Sequence, residues 1–127
     1  MKHRFTTIGL FIIITTGLSG QKMTREQYVS KYYQMAVDEM NLHKIHARIT
    51  LAQGILETEN GNSDLARIAN NHFGIKCKRT WTGMKFVKDD DAKDECFRAY
   101  ATANESFRDH SLFLKGDRYA DLFRYDT

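Results

Sequence analysis

The sequence predicts an α+β domain, mostly helical, with a small antiparallel β-hairpin lobe flanking a cleft. Three observations carry that expectation. Apolar residues recur at helical spacing before Asn70 and again after Thr102. Between Phe73 and Tyr100 the pattern changes to β-branched and aromatic segments, and Asn-Gly and capping signals punctuate the helical stretches. With 127 residues, 42% hydrophobic and 28% charged, the chain has room for one such domain.

The first residues, "MKHRFTTIGLFIIITTGLSGQKM", combine the basic Lys2 and Arg4, an apolar run from Ile8 to Leu18, and the small residues Gly17, Ser19 and Gly20. This pattern reads as a secretory signal peptide over residues 1–20, cleaved near Ser19 or Gly20, with the domain occupying 21–127. A membrane anchor is the alternative, but the run falls short of the roughly 20 residues a spanning helix needs.

The first helix is announced by Thr24 and Gln27, a T-x-x-Q capping box, followed by Tyr28, Tyr32, Met35, Ala36 and Met40 at core spacing. A second helix is expected over His46–Thr58, with Ile45, Ile49, Ala52 and Leu56 on one stripe and Leu51, Ile55 and Thr58 on an adjacent one. Asn60-Gly61 supplies its stop, and Asn62 or Ser63 caps the short helix "DLARIAN". "RTWTGMKFV" and "ECFRAY", joined by the acidic tract "KDDDAKD", form the hairpin. "TANE" offers a second capping box before a helix that carries Phe107, Ser111 and Leu114 on one face and Phe113 beside it.

Charge excludes one class of partner. Without Lys2 and Arg4, 17 basic side chains face 16 acidic ones, a balance that does not support nucleic-acid binding. Cys77 and Cys96 flank the hairpin in a chain bound for an oxidising compartment. A disulfide there would close a loop of about 20 residues, worth roughly 3 kcal/mol; two reduced, packed thiols are the alternative. No CxxC pair and no matching His spacing suggests a metal, and no cofactor motif is present.

Glu57 stands out in "TLAQGILETENGNSDLA". Helical geometry puts it on one face with Gln53, beside Leu56, in the last turn before Asn60-Gly61. Partial desolvation and the negative helix end would both favour the protonated carboxyl, the state a general acid requires. Glu59 is expected to be solvated.

These segments resemble a known family. "LAQGILETENGNSDLA" is similar to the catalytic helix of the bacterial peptidoglycan N-acetylglucosaminidases (the glucosaminidase, flagellar-muramidase-like family). The matching positions are Ala52, Gln53, Leu56, Glu57, Thr58, Asn60, Gly61, Ser63, Leu65 and Ala66. "NNHFGIKC", "FRAYATANESFRDHSLFL" and "RYADLF" resemble three further segments of the family, in its order and spacing, so the likeness runs from about Lys31 to Phe123. It implies a lysozyme-like fold and hydrolysis of the β-1,4 bond after N-acetylglucosamine, with Glu57 as general acid. The second carboxylate comes from the β-lobe in this family, and among Asp89, Asp90, Asp91, Asp94 and Glu95 the anchors at Trp81-Gly83 and Phe97-Tyr100 select Asp91. The family more often has Glu there, one methylene longer.

The expected substrate-binding set is Gln53, Asn60, Asn71, Phe73 and Trp81. Trp81 either stacks on a sugar or packs the thin sheet, and Asn70 and Asn71 either bind the N-acetyl group or make the turn with Phe73 and Gly74. His72 and His110 read as structural histidines. Relatives continue past "RYADLF" through helices that include a cleft tyrosine; Tyr119 matches the turn and not that tyrosine, so the expectation is a domain truncated at its C-terminus. The resulting expectation is a monomeric peptidoglycan hydrolase in the periplasm or cell envelope, needing no metal or cofactor. A non-catalytic wall-binding relative is the alternative, and a lytic transglycosylase a lesser one.

Overall fold

The computed structural model describes residues 20–116. Residues 1–19, where nearly all of the expected signal peptide falls, and the C-terminal segment with Tyr119, Leu122 and Phe123 lie outside them. The described elements are α1 (Arg25–His43), α2 (Ala47–Thr58), α3 (Asp64–Ala69), β1 (Lys85–Lys88), β2 (Glu95–Arg98) and α4 (Ala103–Leu114). None of these helices is long and apolar enough to cross a membrane.

Three of the described helices, α1, α3 and α4, start at a side-chain cap, whereas His46 at the start of α2 makes no such bond. Thr24 accepts from Gln27 N while its own N–H donates to the Gln27 side chain, so two orphan donors of α1 are satisfied reciprocally. Ser63 caps α3 through Ala66 N, and Thr102 caps α4 through Glu105 N. The "TANE" box differs in one bond, because Glu105 reaches back past the cap to the N–H of Ala101. α2 ends in three successive left-handed residues, Glu59, Asn60 and Gly61, with φ of 52°, 60° and 80°. That turn is tied to the start of α1 by Asn62, which accepts from Met23 N and donates to Met23 O.

The main core joins Tyr28, Tyr32 and Ala36 of α1, Ala47 and Leu51 of α2, Phe73 and Ile75 of the link to the hairpin, and Phe107 of α4. Here the packing corrects the sequence reading of α2. Ile49 and Leu56 face outward, Leu56 at 81% exposure, while Ala47, Thr50, Leu51, Gly54 and Thr58 are buried. The reason lies on α1: a Cβ at Gly54 would overlap the Tyr28 hydroxyl, so the ring lies directly over the α2 backbone. Helices that approach this closely must meet through small residues, and the large aliphatics then fall on the far side.

Strands β1 and β2 pair antiparallel in the register Lys85↔Arg98 to Lys88↔Glu95. The segment Ile75–Cys77 runs along the other side of β2 through Cys77 N to Cys96 O at 2.8 Å and Arg98 N to Ile75 O at 3.0 Å. Phe97 seats this lobe on Leu65 and Ala69 of α3. Cys77 and Cys96 are joined by a disulfide, with Cα atoms 5.4 Å apart at a sequence separation of 19. Replacing both cysteines with serine is expected to lower stability by about 3 kcal/mol, a drop in Tm on the order of 10–20 °C in a domain of this size. Thermal unfolding followed by circular dichroism checks this; a shift of only a few degrees would mean that the two pairings along β2 hold the lobe without the covalent link.

Candidate active site

The last turn of α2 brings Gln53 and Glu57, four residues apart, onto one wall of a cavity of about 360 Å³. Phe73 and Gly74 form its floor, His110 and Phe113 of α4 also line it, with His110 beside Gln53, and Lys76 and Lys78 stand at its rim. Glu57 is exposed at this cavity. The partial burial expected from the sequence is absent because its neighbour Leu56 points outward and contributes no cover.

The floor is shaped by Asn71, which is fully buried. Its Nδ2 donates to Ile75 O (3.0 Å) and Arg98 O (2.8 Å), and its Oδ1 accepts from Phe73 N (3.3 Å) and Ile75 N (3.2 Å). A carboxamide has two donor hydrogens and two acceptor lone pairs, so its capacity is filled by main chain. Asn71 is therefore not available to a substrate, which corrects that sequence expectation; it holds the loop that carries Phe73 and Gly74. Asn70 does comparable work, donating to Tyr100 O and Ala101 O.

Gly74 sits at φ 63°, and a Cβ there would lie 3.1 Å from Glu57 Oε2. Glycine takes this left-handed turn without the strain a side chain brings and leaves the space beside the carboxylate open. Gly74→Ala is expected to lower activity roughly 10- to 100-fold by displacing Glu57 while costing about 1–3 kcal/mol from backbone strain. Activity assays paired with thermal melts separate the two effects; unchanged activity would show that the carboxylate does not depend on this floor.

Phe73 and His110 stack with ring centroids 3.8 Å apart and an interplanar angle of 18°. His110 is 4% exposed, and burial pushes its imidazole down to about 4. Its Nε2 lies 2.8 Å from Gln53 Oε1. Asp109, the preceding residue, accepts from Arg98 Nη1 and from the Tyr100 hydroxyl, which ties β2 to α4 and sets the rotation that points His110 at the cavity. His72 is structural as expected: it is buried in the core and bonded through Nδ1 to the Tyr28 hydroxyl at 2.9 Å.

At the rim, Lys76 Nζ gathers the acidic tip, 2.8 Å from Glu95, 3.2 Å from Asp91 and 3.7 Å from Asp90. Hydrogen bonds to Glu95 first and Asp91 second push its ammonium above the usual lysine range, so it stays charged. The Asp91 side chain is 88% exposed and that of Glu95 19%.

Two expected binding residues lie elsewhere. Asn60 closes α2 through its N–H to Ile55 O and is outside the lining of the cavity. Trp81 lines a separate depression of about 460 Å³ with Tyr100, Asn104, Arg108 and Leu112. Its indole N–H donates to Met84 O at 2.9 Å, and the Arg98 guanidinium lies 4.6 Å from the ring centre. Sequence reasoning passed over His110 as a wall of the site, although its spacing three residues after Phe107 and four before Leu114 places it on the buried face of α4.

Over residues 33–127 the chain matches the family described as Glucosaminidase, mannosyl-glycoprotein endo-beta-N-acetylglucosaminidase. It is 33% identical to the exo-glucosaminidase LytG of Bacillus subtilis over 124 residues, covering 86% of this chain and 44% of that protein. With the peptidoglycan hydrolase FlgJ of Vibrio cholerae it shares 29% identity over 115 residues, 81% of this chain and 34% of the relative. The chain thus spans less than half the length of either. Among solved structures it superimposes on a peptidoglycan hydrolase from Sphingomonas sp. A1 with a TM-score of 0.63 at 26% identity, over 74% of this chain and 62% of that one. The glycoside hydrolase domain of Salmonella typhimurium FlgJ shares the fold, with a TM-score of 0.65 at 23% identity over 77% and 65% of the two chains.

Proposed function

The chain belongs to the glucosaminidase family of glycoside hydrolases, and from that premise we propose that it hydrolyses peptidoglycan as an endo-β-N-acetylglucosaminidase, cleaving the β-1,4 bond after N-acetylglucosamine. The observation that carries this reading is Glu57, an exposed carboxylate at a cavity whose floor approaches it as closely as Gly74 allows. In this reading Glu57 protonates the departing glycosidic oxygen, and Phe73 and Gln53 receive the sugar beside it.

The second carboxylate is assigned to Asp91. It is exposed and tethered to Lys76, whose side chain lines the same cavity, so the hairpin tip is held toward the cleft. Glu95 is the closer partner of Lys76 and is less exposed, which suits it to anchoring the lysine. The disulfide fits an oxidising compartment, and the proposed place of action is the periplasm or cell envelope. The partner is the glycan strand, and the acting species a monomer.

Digestion of purified peptidoglycan, with mass spectrometry of the fragments, tests the proposal. Internal fragments with reducing N-acetylglucosamine ends are expected. Anhydro-sugar ends would make the protein a lytic transglycosylase, and no release by a folded chain would leave a wall-binding protein. Asp91→Asn is expected to slow turnover about 10²-fold, as loss of a general base or orienting carboxylate does.

A further inference from the structure

Trp81 stands in a concavity of its own, the depression of about 460 Å³ that it shares with Tyr100 and one side of α4. Asn104, Arg108 and Leu112 follow one another there four residues apart, a row about 12 Å long. That row is on the side of the helix turned away from His110 and Phe113, which line the catalytic cavity. The two concavities therefore lie on different faces of α4.

The two sides of this groove differ in kind. On one, the indole N–H of Trp81 donates to Met84 O and the Tyr100 hydroxyl donates to Asp109, so both rings have engaged their polar atoms and offer carbon surface. The Trp81 ring is held in place, because the backbone at Gly83 lies where any Cβ would overlap it and the Arg98 guanidinium packs on it at 4.6 Å. Leu112, 53% exposed, extends the apolar surface on α4. On the other side, Arg108 Nε donates to Oε1 of the buried Glu39 at 2.9 Å, which fixes the guanidinium and leaves its two terminal nitrogens without a partner among the described residues. The Asn104 side chain has none either, and Glu105 uses only Oε2, on Ala101 N.

Charge narrows the class of ligand. Arg98 and Arg108 stand against Glu39, Glu105 and Asp109, so an anionic polymer or an acidic peptide meets no net positive field here. Carbon surface facing donors and acceptors without excess positive charge suits an uncharged ring that is apolar on its faces and polar at its edge. A pyranose is such a ring, with C–H bonds on its faces and hydroxyl and amide groups around it.

We propose that this groove is a second glycan-binding site, outside the catalytic cavity, in which a neutral β-linked glycan sets its ring faces on Trp81 and Leu112 and its edges on Asn104, Glu105 and Arg108. It holds the enzyme on the polymer while the cavity that carries Glu57 acts on another stretch of it. The choice of polymer rests on the reading of the protein as a glucosaminidase.

Trp81 is the only tryptophan of the chain, so its indole signal reports this groove alone. The test titrates N-acetylglucosamine tetramer into the Glu57→Gln chain, followed by NMR of the backbone amides and of that indole. Two separate sets of shifts are expected, one around Gln53 and His110 and one at the Trp81 indole and the Asn104 amide region. Asn104→Ala combined with Leu112→Gln, two exposed positions, keeps the reporter and is expected to weaken the indole response about tenfold while leaving the shifts around Gln53 unchanged. With Glu57 present, the same double variant should bind insoluble peptidoglycan severalfold less and digest it more slowly, at an unchanged rate on soluble short glycans. A tetramer that shifts only the Gln53 region, or a double variant whose indole response matches the parent, overturns the second site and leaves the catalytic reading standing. An indole that answers to peptides released from the wall and not to the tetramer also overturns it, in favour of a peptide groove. A chain that shifts in neither region and cleaves no peptidoglycan fails at the underlying glucosaminidase reading.

Discussion

Glu57→Gln is expected to lower peptidoglycan hydrolysis about 10³-fold or more while leaving the fold and glycan binding essentially unchanged. The amide has nearly the shape of the carboxyl but no proton to give to a departing alkoxide, and loss of a positioned acid of this kind costs about 10²–10⁴ in rate. The exposed position makes the experiment clean. Glu57 takes part in no hydrogen bond or ion pair among the described residues, and its last-turn place on α2 sets a negative charge against the negative end of the helix. Neutralising it therefore leaves nothing unpaired, and stability should stay within about 0.5 kcal/mol of the parent. Initial rates on purified cell wall, with a thermal melt as control, decide the matter. A variant that keeps more than about a tenth of the activity would remove Glu57 from the role of acid.

Asn71→Ala carries the largest expected loss of stability. The parent amide accepts from the N–H groups of Phe73 and Ile75 and bonds the carbonyls of Ile75 and Arg98, all within a segment shielded from water. Alanine leaves those two N–H groups without an acceptor, each at about 1–3 kcal/mol, and also opens a small void. A total of about 3–5 kcal/mol is a large share of what a small domain has. Ile75 O loses less, because it also accepts from Arg98 N. Asn71→Asp keeps both acceptors but sets a carboxylate against two carbonyls, so it should destabilise as well. Urea denaturation gives the midpoints. A loss below 1 kcal/mol from the alanine variant would show that solvent reaches the loop and satisfies it.

The two variants also separate function from architecture within one short motif region. Glu57→Gln should leave a folded, inactive chain, whereas Asn71→Ala should lose activity only in proportion to lost structure. The comparison therefore distinguishes a residue that acts on the substrate from one that holds the floor beneath it.

By itself the sequence determined the order of elements, the caps at Thr24 and Thr102, and the stop at Asn60-Gly61, and it narrowed the cap of α3 to Asn62 or Ser63. It also placed Gln53 and Glu57 on one face of a helix. All of these are decided by contacts three or four residues apart, which a linear reading contains. Only the tertiary structure decided which stripe of α2 is buried, because the answer depends on Tyr28 lying over Gly54 from another helix. The same holds for His110, whose partner Gln53 is 57 residues away, and for Asn71, whose donor hydrogen reaches Arg98 O, 27 residues on. Trp81 left the cavity for a similar reason, its ring lying against Arg98 and Tyr100. Local chemistry chooses the element, but the face it buries and the partner its side chain meets are properties of the packed chain, where close approach and filled hydrogen-bonding capacity exclude the alternatives that the sequence leaves open.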